Sequence, residues 1–167
     1  AKYRKPKPAS MDEHEYVENL FTCLCAALAL PKIQELFLNL EGVSLVLILI
    51  QKQKFLRLSA TKVIDFAIMN NSRGCLRVIK RKGLKVLFAL LMKCGTKKTK
   101  DSEKTDFEQH LISSFHSIFT YIFETDESVN SQDKKICSAA IKTLNKKFMQ
   151  NDFEKTDRLM ELCFADK

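Results

Sequence analysis

Six cysteines and three histidines are the side chains with the most chemistry to offer, and their spacing decides what they can do. Cys23, Cys25, Cys75, Cys94, Cys137 and Cys163 are scattered, with no CxxC pair of the kind a zinc site uses. Cys23 and Cys25 stand two apart, so on a helix they point in different directions. A disulfide framework suits small secreted chains with little core. Here the hydrophobic content is 46%, and the N-terminus AKYRKPKPAS lacks the apolar segment of a secretory signal. The expectation is that most of these cysteines are small core hydrophobes in a reducing compartment. His110 and His116 are six apart, which does not set two metal ligands on one helical face, so each reads as structural or exposed. Glycine-rich phosphate loops, GxSxG elbows and HExxH motifs are absent from the sequence. Asp126 and Glu127 lie in a polar linker, where burial would not tune them for acid–base work. The chain reads as a non-enzyme, with no metal and no cofactor.

What remains is recognition chemistry. The formal charge is +8 and unevenly placed. Lys2, Arg4, Lys5 and Lys7 crowd the start, and Arg77–Lys104 holds ten Lys/Arg against Asp101 and Glu103, leaving the rest mildly acidic. A basic stripe raises a helical nucleic-acid-binding domain using Arg77–Lys104 as the alternative reading. Single-strand binding would add stacking aromatics, and Lys93–Lys104 contains none, so that segment reads as a solvated loop.

The elements that must position these residues are helical. Four Gly and three Pro disfavour a turn-rich β fold, and no period-2 alternation stands out. Pro31–Asn71 gives the unit: PKIQELFLNLEG as a short helix with Pro31 at its first position and Gly42 just past its end, then VSLVLILIQ, then the longer FLRLSATKVIDFAIMNN. The pattern returns 41 positions later, GVSLVLILIQK from Gly42 lying over GLKVLFALLMK from Gly83. SRGCLRVIKRK precedes it as a first helix, and TDFEQHLISSFHSIFTYIFE follows as a third. A period near 41 with two or three helices marks armadillo or HEAT repeats, and the expectation is an all-α chain, an armadillo-type right-handed α-solenoid of three-helix repeats. The longest clean apolar run, Val43–Ile50, is far too short to cross a bilayer.

In order, residues 1–11 read as a disordered basic lead-in, and 12–30 as the third helix of a partial repeat. Asp12 is its expected cap, and Val17, Leu20, Phe21, Leu24 and Leu28 its buried stripe. Residues 31–71 form one repeat. Residues 72–125 form the next, its helices two and three separated by a mobile basic loop, 94–104. Residues 126–167 read as a linker and a C-terminal helical pair, with the second helix capped by Asn151 or Asp152. The chain reads as beginning in mid-array and stopping without a polar cap, as a fragment would. In the third helix of the first full repeat, Leu56, Ala60, Val63, Ile64 and Ala67 form the core stripe. Thr61, Lys62, Asp65 and Met69 fall on the other side, where a concave groove would meet a partner segment.

Three stretches carry a family resemblance: EYVENLFTCLCAALALP (Glu15–Pro31), FLNLEG with SATKVIDFAI (Ser59–Ile68), and above all NDFEKTDRLMELCF (Asn151–Phe164). The chain resembles the beta-catenin-like, armadillo-repeat family associated with the spliceosome. The likeness is loosest at Asp126–Gln150 and in the basic loop. It implies a nuclear, non-catalytic scaffold of a Prp-type splicing complex, recognising basic nuclear-localisation-type segments of partners that include a Myb-domain splicing factor. Importin-type grooves hold such segments with Trp–Asn ladders, and this chain has no Trp. Acidic residues such as Asp65, Glu18 and Glu124 would have to dominate the groove locally.

Overall fold

The computed structural model describes residues 10–93, 101–124, 130–151 and 153–164. Most of the basic lead-in, residues 94–100 of the basic loop, the acidic linker 125–129 and Asp152 lie outside them. The described residues hold helices α1 (Met11–Leu28), α2 (Pro31–Asn39), α3 (Gly42–Lys52), α4 (Arg57–Ile68), α5 (Ser72–Lys80), α6 (Gly83–Leu91), α7 (Asp101–Phe123), α8 (Ser131–Phe148) and α9 (Glu154–Phe164). A 3₁₀ turn, Lys54–Leu56, leads into α4.

These helices stack in three parallel files. First helices α2, α5 and α8 pack in succession, as do second helices α3, α6 and α9. Third helices α1, α4 and α7 form the remaining file, with α4 pressed between the other two. The pair α8–α9 therefore stands on α5 and α6 as those stand on α2 and α3. Burial follows the 41-residue shift. Val43, Val46, Leu47 and Ile50 are buried on α3, and so are their counterparts Leu84, Leu87, Phe88 and Leu91 on α6. A single core runs through all units, closed at one end by Phe88, Phe115, Phe119 and Phe148, whose successive ring centroids lie 5.0–5.9 Å apart.

The corner between first and second helices explains the repeated glycine, though not through its own backbone angle. The left-handed residues are Glu41 (φ 59°) and Lys82 (φ 58°), and Gly42 and Gly83 open α3 and α6 instead of closing the helices before them. Both glycines are needed for close approach. A Cβ on Gly42 would meet the Phe37 ring at 2.3 Å, and one on Gly83 would meet Val78 Cγ1 at 2.4 Å and the Val78 carbonyl oxygen at 2.9 Å. Phe37 and Val78 are themselves one period apart. The two units solve the same corner in the same way.

Several boundaries shift from their expected places. Ser10, not Asp12, caps α1: its hydroxyl accepts from Glu13 N at 3.1 Å, and Asp12 sits in the first turn. Leu20 is 50% exposed, so it leaves the stripe formed by Val17, Phe21, Leu24 and Leu28; Cys25 joins that stripe in its place. Helix α7 starts at Asp101 where the loop was expected to run to Lys104, because Ser, Glu and Lys are all compatible with helix. Helix α8 begins at Ser131: Asn130 Oδ1 accepts from Asp133 N at 2.8 Å, so polar residues that resembled a turn serve as a cap.

Replacing Gly83 by Ala should destabilise the chain by about 1–3 kcal/mol, since backbone as well as side chain must move. Gly42→Ala should cost less, because Phe37 presents a ring that can turn. Urea unfolding of the two variants measures the difference.

Candidate partner-binding surface

Helix α4 gives up most of its surface to its neighbours, and this divides the residues expected to line a groove. Thr61 is fully buried and its hydroxyl finds no partner among the described residues. Asp65 is also buried, with Oδ2 2.8 Å from His110 Nδ1 on α7 while Oδ1 is unpartnered. Lys62 is half-buried, its ammonium acting on the Cys25 thiol of α1. Met69 is 40% exposed at the C-terminal end of α4. The structure thus leaves Lys62 and Met69 open to a partner segment, while Thr61 and Asp65 face inward. The sequence pattern set all four opposite the core stripe, but α7 closes over one side of that face.

Polar side chains here tie one unit to the next. Ser59 Oγ donates to Glu18 Oε2 at 2.6 Å, joining α4 to α1, and the Asp65–His110 contact joins α4 to α7. The His110 ring also leans on Phe66, centroids 6.1 Å apart. First helices anchor the ends of third helices: Gln34 Nε2 donates to the carbonyls of Phe66 (2.8 Å) and Met69 (3.2 Å). One period on, Cys75 Sγ donates to the Ser117 carbonyl at 3.4 Å. Burial pushes the Cys75 thiol up to about 12 and the Cys25 thiol up to about 11, Lys62 only partly opposing the latter. Cys137 is buried as well, whereas Cys23 and Cys163 are exposed. The expectation of mostly core cysteines holds for three of these five.

The basic run around α5 is largely committed. Arg73 pairs with Glu35, and Arg77 and Arg81 both reach Glu41, at 2.9 and 2.6 Å. Lys80 meets Asp133 of α8 at 2.9 Å. A hydrogen bond from Ser44, together with the Arg81 and Arg77 guanidiniums, holds the Glu41 carboxyl below its ordinary value. Three cations of the suggested nucleic-acid stripe, Arg77, Lys80 and Arg81, instead link one unit to the next.

A cleft of about 530 Å³ opens at the corner where α4 ends, α5 begins and α7 passes. Ile68 and Cys75 lie at its inner wall; Asn70 and Ser72 edge one side, and His116, Thr120 and Glu124 the other. Asn70 takes φ 52° to turn the chain from α4 into α5. Beside the cleft, Tyr121 shares a hydrogen bond with Cys137, and burial foremost pushes its phenol up to about 12. The sequence reading missed this site. Its available signal was His116, Thr120 and Glu124 at four-residue spacing, a polar stripe along the C-terminal half of α7 and just past its end. Among the described residues no group of three or more His, Cys, Asp or Glu is placed to hold a metal ion, and no single helix is long and apolar enough to cross a membrane.

Two outcomes follow. His110→Ala strands the Asp65 carboxylate in the interior and should lower stability by about 2–3 kcal/mol; Asp65→Asn in the same chain should restore part of it, both read by urea unfolding. Near neutral pH, iodoacetamide followed by peptide mass spectrometry should label Cys23 and Cys163 quickly, and Cys25 and Cys75 only on unfolding.

A sequence model of the family described as catenin-beta-like, Arm-motif containing nuclear, matches residues 1–167. Beta-catenin-like protein 1 of Homo sapiens and that of Rattus norvegicus are each 33% identical over 165 residues, covering 97% of this chain and 27% of theirs. The Beta-catenin-like protein 1 homolog of Schizosaccharomyces pombe is 29% identical over 163 residues, covering 96% of this chain and 25% of its own. The chain thus spans about a quarter of the length of these relatives. Stacked three-helix units, the recurring glycine corner and this match lead to one conclusion: the chain belongs to the catenin-beta-like family of Arm-motif proteins.

Proposed function

We propose that the chain is a non-catalytic protein–protein interaction scaffold of the splicing machinery, acting in the nucleus and recognising basic nuclear-localisation-type segments of splicing factors. A Myb-domain factor and Prp-type complex components are the partners this reading names. The observation that carries it is the file of third helices α1, α4 and α7, packed in succession and braced by hydrogen bonds between units. Such a file meets an elongated segment along its length, as solenoids do. Membership of the Arm-motif family supports the scaffold role. Burial holds Cys25 and Cys75 as thiols, which removes two nucleophiles from consideration. The nucleic-acid alternative loses part of its basis, because Arg77, Lys80 and Arg81 of its stripe are in ion pairs.

Pull-down from nuclear extract, with mass spectrometry, tests the proposal. Splicing factors should be recovered with this chain and depleted when Lys62→Glu and Met69→Glu are combined in a variant of unchanged helicity. Recovery of RNA-dependent proteins alone, abolished by nuclease, would overturn it.

A further inference from the structure

Resting on the reading that basic segments are the ligand, we infer that the cleft between the α4–α5 corner and the C-terminal half of α7 is the socket for a lysine or arginine side chain of the partner. Of the three acidic residues expected to make the groove attractive to cations, two are already committed. Glu18 accepts from Ser59 at 2.6 Å, and Asp65 is buried against His110. Glu124 is the third. It is exposed, lines the cleft, and is in no ion pair among the described residues.

The position of Glu124 is electrostatically costly without a guest. It follows directly on the end of α7, where carbonyl groups make the helix terminus negative and disfavour a carboxylate. The end of α4 also reaches the cleft through Ile68, but its carbonyls are already taken: Gln34 Nε2 donates to those of Phe66 and Met69, and the Asn71 amide to that of Ile68. The end of α7 and the Glu124 carboxylate are what favour a cation. The start of α5 also borders the cleft, but its Gly74 amide donates to Asn71 Oδ1 at 3.0 Å and its Cys75 amide to the Asn71 carbonyl at 3.0 Å. Those donors are spent internally and do not recruit an anion.

The rest of the cleft suits the same guest. Asn70, Ser72 and Thr120 offer oxygen acceptors at the mouth, and Ile68 and Cys75 make the inner wall apolar. A side chain with an aliphatic stem and a cationic head matches that gradient. The volume of about 530 Å³ lies within the roughly 300–1,000 Å³ of ordinary ligand pockets.

The test is fluorescence anisotropy with a short fluorescein-labelled peptide of mixed lysine and arginine, against the full chain at low salt. Glu124→Gln keeps an acceptor but loses the charge and should weaken binding roughly fivefold, the upper end of what an exposed ion pair contributes, and Glu124→Lys should abolish it. Asp157→Asn, an exposed acid on α9 outside the file of third helices, should bind as wild type. If all three variants bind alike, recognition of basic segments stands but the cleft is not where it happens. If the wild-type chain does not bind the peptide, the reading and the socket fall together.

Discussion

Helix α4 has eight of its twelve residues buried, and this one circumstance sets the terms for the rest of the molecule. A helix enclosed by α1, α3 and α7 must be small where neighbours come close, as at Ser59, Ala60 and Ala67. It must also find partners for the polar groups it carries inward. Ser59 finds Glu18 on one side, and Asp65 finds His110 on the other. Hydrophobic contact alone would let neighbouring third helices slide along each other. The directional bonds fix the register in which successive units stack.

The three files divide the physical work. Second helices α3 and α6 are apolar on most sides and supply the core that continues from unit to unit. First helices α2 and α5 lie nearer the surface and are joined by ion pairs between Glu35 or Glu41 and three arginines. Exposed pairs of this kind contribute little to stability, so the apolar second file and the enclosed α4 hold the stack. Because each unit touches chiefly its neighbours, the surface along the third helices inherits its shape from a repeated local contact.

Much of this was legible in the sequence. The 41-residue shift between Gly42 and Gly83 marked the unit, and the core stripe of α4 followed from helical periodicity. In sequence the glycine marks a helix end, whereas its reason is close approach, to the Phe37 ring at Gly42 and to Val78 at Gly83. Only coordinates reveal such an approach. The candidate surface was half legible. Periodicity set Thr61 and Asp65 opposite the core, but it describes one helix and is blind to a second one packing on the other face. Leu20 failed in the reverse sense, being apolar at the right spacing with nothing to cover it. The cleft at Asn70 and Glu124 joins residues from two units, so the four-residue spacing of His116, Thr120 and Glu124 could mark only one of its walls.

A stack joined through its third helices should be stiffest in α4, which lies between the other two. Hydrogen–deuterium exchange of the free chain, resolved by peptide, measures that stiffness directly. Amides of Arg57–Ile68 should be the slowest in the molecule, opening only with global unfolding, while α9 exchanges sooner. Exchange through α4 as fast as through α9 would contradict a solenoid stacked through its third helices.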